Sequence, residues 1–201
     1  PYTCSRDTLL KAKQLAETYA ATLQIHLSET AAEVDDLLAR AGKRPAEWLY
    51  SLGLLDSRTV CAHGVWLDAK EVGLLGLCGS SVAHCPKSNL KLASGVADVA
   101  TYLGRGLNVA LGTDGAASNN ALDMVEEMRF AALLAKVRSD DPAALNARQA
   151  LRMATLNGAR ALGLGDVTGS LEPGKRADLL LVHLDASNTL PVYDPCSAIV
   201  Y

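Results

Sequence analysis

Four short apolar runs, each closing on an ionisable side chain and each followed by a helical pattern, set the tightest limit on how this chain can fold. They are "TLQIH" (22–26), "RTVCAH" (58–63), "SSVAH" (80–84) and "NVALGTD" (108–114). Between them the apolar spacing becomes helical: "TAAEVDDLLARAG" (30–42), "PAEWLYSLG" (45–53), "LDAKEVGLLGLCG" (67–79) and "GVADVATYLGRG" (95–106). A helix precedes the first run ("SRDTLLKAKQLAETYA"), and two longer ones, 121–139 and 146–163, follow the last. Strands alternating with helices in this way are βα units, and strands that are apolar almost throughout belong to a parallel sheet covered on both faces.

Local signals agree with that reading. Ser5 suits the N-cap of the first helix, Thr30 with Glu33 reads as a capping box, and Gly42 suits the stop of that helix. Pro45 suits a first turn, and Asn119 or Asn120 suits the cap of 121–139. The rhythm changes after residue 165. "GSLEPGKRADLLLVHLD" places a turn before a run that reads as a strand, and "TLPVYDPCSAIVY" reads as turn prolines and a last strand. The division expected is a βα unit set over 1–164 and a small β appendage over 165–201.

Three of the four histidines in the chain fall at strand ends: His26, His63 and His84, with Asp114 ending the fourth run. His183 lies in the late β segment and reads as structural or solvated. In parallel barrels and open α/β sheets alike, ligands sit at the C-terminal ends of the strands. Imidazole and carboxylate are standard ligands of Zn²⁺, and a catalytic site leaves one position open for water. Such a metal lowers the pKa of its water towards ~7. Glu29, three residues beyond His26, is placed to move a proton between water and a leaving nitrogen. One histidine at a strand end would more often be a hydrogen-bonded structural residue; the joint pattern argues for a metal site.

Other residues carry less. "HCPKSNLKLASG" (84–95), with Lys87 and Lys91, reads as a solvated loop, Cys85 as an inert thiol rather than a soft ligand, and Glu126 and Glu127 as surface charge. Ser118, Asn119 and Asn120 lie on a loop that either shapes the pocket or caps the next helix. The formal net charge is −3 with no dense basic cluster, which argues against nucleic acid as a partner. No apolar run approaches the ~20 residues of a membrane span. Cys4, Cys61, Cys78, Cys85 and Cys196 form no CxxC pair and read as reduced thiols of a cytoplasmic protein. The N-terminus has no signal-peptide pattern and begins as though cut inside a loop.

Taken in order, "IHLSET", "AHGVWL", "VAHCPKSNLKLASG", "LGTDGAASNNALDM", "ATLNGARALGL" and "GSLEPGKRADLLLV" resemble the amidohydrolase superfamily. The nearest branch is that of the 5-methylthioadenosine/S-adenosylhomocysteine deaminases, with triazine hydrolases and guanine-type deaminases as relatives. The resemblance implies an α/β fold, a (β/α)8 TIM barrel carrying a small β-sandwich. It also implies one divalent metal, usually Zn²⁺, with Fe²⁺ as the alternative. Matched residue by residue, it implies His26 and Asp114 as metal ligands, and Glu29 as proton shuttle and substrate contact. His63 would position the attacking water and touch substrate, Asp114 would be the base, and His84 would support the site from behind rather than ligate.

The same resemblance exposes a gap. An HxH ligand pair is expected at the end of the first barrel strand, yet no H-x-H occurs in the 201 residues, and four strand units stand where a barrel needs eight. The chain therefore reads as the C-terminal half of the barrel, strands 5–8, with part of the sandwich. Its expected partner is an N-terminal half carrying the HxH ligands; a homo-oligomer is compatible with this. Two ligands hold zinc weakly, so this chain alone is expected to be inactive. The leading function is hydrolytic deamination of an adenine-type nucleoside, 5'-methylthioadenosine or S-adenosylhomocysteine. The alternatives are hydrolysis of another nitrogen heterocycle (guanine, 8-oxoguanine, cytosine or a triazine), or an inactive half barrel that scaffolds a partner. A doubly wound binding domain is disfavoured, because no strand is followed by G-x-G-x-x-G.

Overall fold

The computed structural model describes residues 1–187 and 189–201. The four apolar runs become β1 (Leu23–Leu27), β2 (Thr59–His63), β3 (Ser81–His84) and β4 (Asn108–Leu111). All pair in parallel, in the order β1-β2-β3-β4, with Leu23 opposite Thr59, Val60 opposite Ser81 and Ser81 opposite Asn108. Helix α1 (Arg6–Thr18) leads in. α2 (Ala31–Ala41) and α3 (Pro45–Ser51) join β1 to β2, α4 (Ala69–Leu77) joins β2 to β3, and α5 (Pro86–Lys91) and α6 (Val99–Gly104) join β3 to β4. Beyond β4 come α7 (Ala116–Asn119), α8 (Met124–Ser139), α9 (Ala147–Arg152), a π-helical turn over Met153–Asn157, α10 (Gly158–Ala161) and α11 (Pro195–Val200). This is the sequential parallel βα order of a partial (β/α) barrel.

The caps largely follow the sequence, with instructive departures. The Ser5 hydroxyl accepts from the Thr8 N–H, and Gly42 ends α2 at a left-handed φ of 64°. Thr30 Oγ1 accepts from the Glu33 N–H, but Glu33 does not reciprocate as a capping box would; its carboxylate accepts from the Glu29 N–H at 3.1 Å and so braces the rim. Neither Asn119 nor Asn120 caps the long helix. These residues close the separate turn α7, and α8 starts later, with Asp123 accepting from the Val125 and Glu126 N–H groups.

One apolar core lies between the sheet and the helices. Leu27, Cys61, Val82, Val109 and Leu111 from the strands meet Leu9, Leu49, Val72, Leu75, Tyr102, Met128, Ala131 and Ala135. The other sheet face is thinner: Val60, Ala83 and Ala110 pack with Ala161 of α10. On that face β1 exposes Gln24 and His26. The expectation of strands covered on both faces therefore holds for β2–β4 and fails for β1, whose outer edge has no neighbouring strand among the described residues.

Two buried polar networks fix the loops. Glu71 is fully buried; its carboxylate accepts from Arg44 Nε at 2.8 Å and from the N–H groups of Ala46 and Asp68. Arg44 also pairs with Asp68 at 3.0 Å and donates to the Trp66 carbonyl at 2.6 Å, so one guanidinium ties α3 to the loop after β2. Tyr102, whose phenol burial pushes up to about 12, donates its O–H to the Gly64 carbonyl at 2.9 Å. Tyr102→Phe orphans that carbonyl and is expected to cost about 1 kcal/mol in chemical denaturation; no loss would mean water replaces the phenol.

The C-terminal segment departs from expectation. Residues 177–185 carry no regular secondary structure, and the expected last strand is instead α11, started by Asp194 and Pro195. An isolated strand is not stable without a ladder partner, and the sole sheet among the described residues is β1–β4. Leu180 and Leu181 are accordingly at least nine-tenths exposed. No helix of the described residues is long and apolar enough to cross a membrane.

Candidate metal centre

The strand ends converge. His26, His63 and Asp114 each offer a ligand atom, and these atoms all lie within 4.8 Å of one another. The His26 and His63 rings stack with centroids 5.3 Å apart and planes 20° apart. Strand alternation alone would not do this. His26 is opposite Ala62 in the register, so His63 should face the helix layer with Cys61. His63 instead has a left-handed φ of 72°, which breaks the alternation and brings its ring beside His26. Gly64 follows with φ 59°, and a Cβ there would lie 3.1 Å from Val82 Cγ1, so glycine lets the chain turn away at once.

Asp114 sits three residues past β4, also at a left-handed φ, 60°. Its Oδ2 accepts from the hydroxyls of Ser88 (2.7 Å) and Ser118 (2.6 Å). Burial raises its carboxyl, but these hydrogen bonds, the Gly115 N–H and the nearby His63 outweigh it and hold the pKa below the ordinary value. Asp114 is thus kept as a carboxylate.

Helix α5 supports both partners. Ser88 serves Asp114, and Asn89 Oδ1 is 2.8 Å from His63 Nδ1, so the amide oxygen accepts from an Nδ1–H and Nε2 is left as the free ring nitrogen. That buried Nε2 has no hydrogen-bond partner. The helix is itself held from behind. Glu127, fully buried, accepts from the Lys87 N–H at 3.2 Å and from Asn119 Nδ2 at 2.6 Å, and Asn119 Nδ2 also donates to the Thr113 carbonyl at 2.5 Å. The sequence reading of Glu127 as surface charge is therefore wrong, and that of 84–95 as a solvated loop holds in part: residues 90–93 are exposed, while Pro86, Ser88, Asn89 and Ser94 are buried. Lys87 pairs with Glu126, and Lys91 reaches the Asn120 amide.

Glu29 is buried beside the trio. Its Oε2 lies 3.7 Å from His63 Nε2, and its Oε1 accepts from the Ser94 hydroxyl at 3.0 Å. His84 is not in the trio. It is 2% exposed, and burial, helped by His63, drives its pKa down to about 3, so it stays neutral. Cys85 is also buried, its thiol pushed up to about 12, and it remains a thiol. His183 is exposed and pairs with Asp185, away from the cluster.

The donor set suits a divalent cation: two imidazoles, one carboxylate kept ionised, and a buried imidazole nitrogen with no protein partner. Fold and rim together define a partial barrel of parallel βα units whose strand ends could hold a metal ion. The amidohydrolase family model matches residues 1–201, and the chain belongs to that family.

Similar proteins sharpen the comparison. The chain is 51% identical over 201 residues to a 5-methylthioadenosine/S-adenosylhomocysteine deaminase of Moorella thermoacetica, covering all of this chain and 47% of that one. It is 47% identical to a 5'-deoxyadenosine deaminase of Methanosphaera stadtmanae, again covering 100% and 47%. Among solved structures, an adenosine deaminase from Xanthomonas campestris with bound zinc superposes with a TM-score of 0.97 at 45% identity, covering 100% of this chain and 46% of that one. Atrazine chlorohydrolase from Arthrobacter aurescens, complexed with zinc, gives 0.89 at 30% identity, covering 98% and 43%. The chain thus spans slightly less than half the length of the curated relatives it matches.

Proposed function

We propose that this chain is the C-terminal half of a metal-dependent hydrolytic deaminase acting on an adenine-type nucleoside, 5'-methylthioadenosine or S-adenosylhomocysteine. The observation that carries the reading is the convergence of His26, His63 and Asp114 at one rim. The higher identity to nucleoside deaminases than to the triazine enzyme favours a nucleoside over a triazine. His26 and Asp114 would hold a divalent cation, zinc first, together with two histidines of an N-terminal half. When bound, that cation supplies Lewis-acid polarisation and makes hydroxide accessible near neutral pH.

The residues of this chain do the proton work. Water adds through its oxygen to the amidine carbon of the purine. Asp114 accepts one water proton and returns it to the departing amino group, while Glu29 delivers the other to the adjacent ring nitrogen. The carbon–nitrogen bond breaks, ammonia leaves, and the ring keeps oxygen and one proton. His63, held by Asn89, orients the water. His84 stays neutral and supports the site from behind.

Residues 165–201 would belong to a β-sandwich completed by segments outside this chain, which would cover Leu179–Val182. The five free cysteines suit the cytoplasm. Mixing this chain with a separately made N-terminal half and zinc, then measuring ammonia released from 5'-methylthioadenosine, is the test. Activity is expected from the mixture and not from this chain alone; full activity from the chain alone would overturn the two-half reading.

A further inference from the structure

Glu29 is held in a way that its place in the sequence does not explain. Its two oxygens differ: Oε1 accepts from Ser94 Oγ at 3.0 Å, while Oε2 faces His63 Nε2 at 3.7 Å. Ser94 lies 65 residues away in the chain and is 4% exposed, so its hydroxyl has little water to turn to. Its position is fixed by a second contact, Trp66 Nε1 donating to the Ser94 carbonyl at 2.7 Å. Trp66 is in turn anchored at its own N–H by the Ser28 carbonyl (3.0 Å) and at its own carbonyl by Arg44 (2.6 Å). Gly95 lets the indole lie close: a Cβ there would sit 3.0 Å from Val65 Cγ1 and 3.3 Å from Trp66 Cζ2, at a φ of 123°. The loops after β2 and after α5 are thus stitched together around one carboxylate.

We propose that Ser94 is a positioning residue for the proton shuttle. Its O–H occupies Oε1 and leaves Oε2 as the oxygen that carries and delivers the proton. The inference rests on the proposed role of Glu29. Without the hydroxyl, the carboxylate rotates freely between two equivalent oxygens, and the delivering atom is no longer aimed.

The test uses this chain completed by its N-terminal barrel half. Ser94→Ala is expected to lower kcat about tenfold or more, since small misplacement of a catalytic group already has effects of that order. KM should stay within about twofold, and thermal stability should fall only modestly, since one buried acceptor loses its donor. Ser94→Thr, which keeps the hydroxyl, restores most of the rate. In a Glu29→Gln background Ser94→Ala has no further effect on kcat, because the group it aims is gone. If Glu29→Gln lowers kcat but Ser94→Ala leaves it intact, the positioning role fails and the shuttle stands. If the two losses multiply in the double variant, Ser94 acts elsewhere. If Glu29→Gln is itself without effect, the shuttle reading falls first.

Discussion

Asp114→Asn is expected to lower turnover of the completed enzyme by roughly 10²–10⁴-fold, the range attributed to a positioned general base. The substitution is nearly isosteric, and its amide oxygen can still accept from Ser88 and Ser118, so the loop should keep its course. What disappears is the negative charge that those two hydroxyls and His63 stabilise. The same change removes the one anionic donor of the His26–His63–Asp114 trio, so bound metal per chain should fall alongside kcat. Turnover and metal content measured on one preparation separate the two effects. An asparagine variant keeping more than a tenth of the wild-type rate would remove Asp114 from the chemistry.

The second large effect is on stability. Arg44→Ala is expected to destabilise the fold by about 3–5 kcal/mol, because it leaves the fully buried Glu71 carboxylate without its charged partner. Glu71 would keep only the Ala46 and Asp68 N–H groups. Arg44 itself is 27% exposed at its side chain, which puts the effect towards the lower end of that range. The Trp66 carbonyl also loses its donor, so the loop carrying the indole should loosen. The midpoint of a denaturant titration reads the change. A loss below about 1 kcal/mol would class the pair with ordinary surface ion pairs.

The βα order and the four strands were readable because periodicity and caps are local: Ser5, Gly42 and Pro45 act where they stand. The gathering of His26, His63 and Asp114 was readable because strand ends share one rim. What holds them was not. Ser88 and Asn89 sit in a stretch that looks like a polar loop, and they matter because α5 lays them against residues 26 positions away. Glu127 follows another glutamate on a charged helix, and nothing local marks it as the one turned inward. The late apolar run "ADLLLV" is the opposite case. Its composition suits a strand, but a strand exists only with a neighbour to pair with, and none is present among the described residues.

Ser28, His63 and Asp114 all occupy the left-handed region, at φ 49°, 72° and 60°. Side-chain-bearing residues disfavour it by about 1–2 kcal/mol each. Glycine would relieve this at every one of the three, yet two of them carry groups the cluster needs. A lineage in which such a barrel no longer had to turn over substrate would have every thermodynamic reason to relax these positions first. Their identity in a descendant protein would then serve as a marker of whether its rim is still under functional constraint.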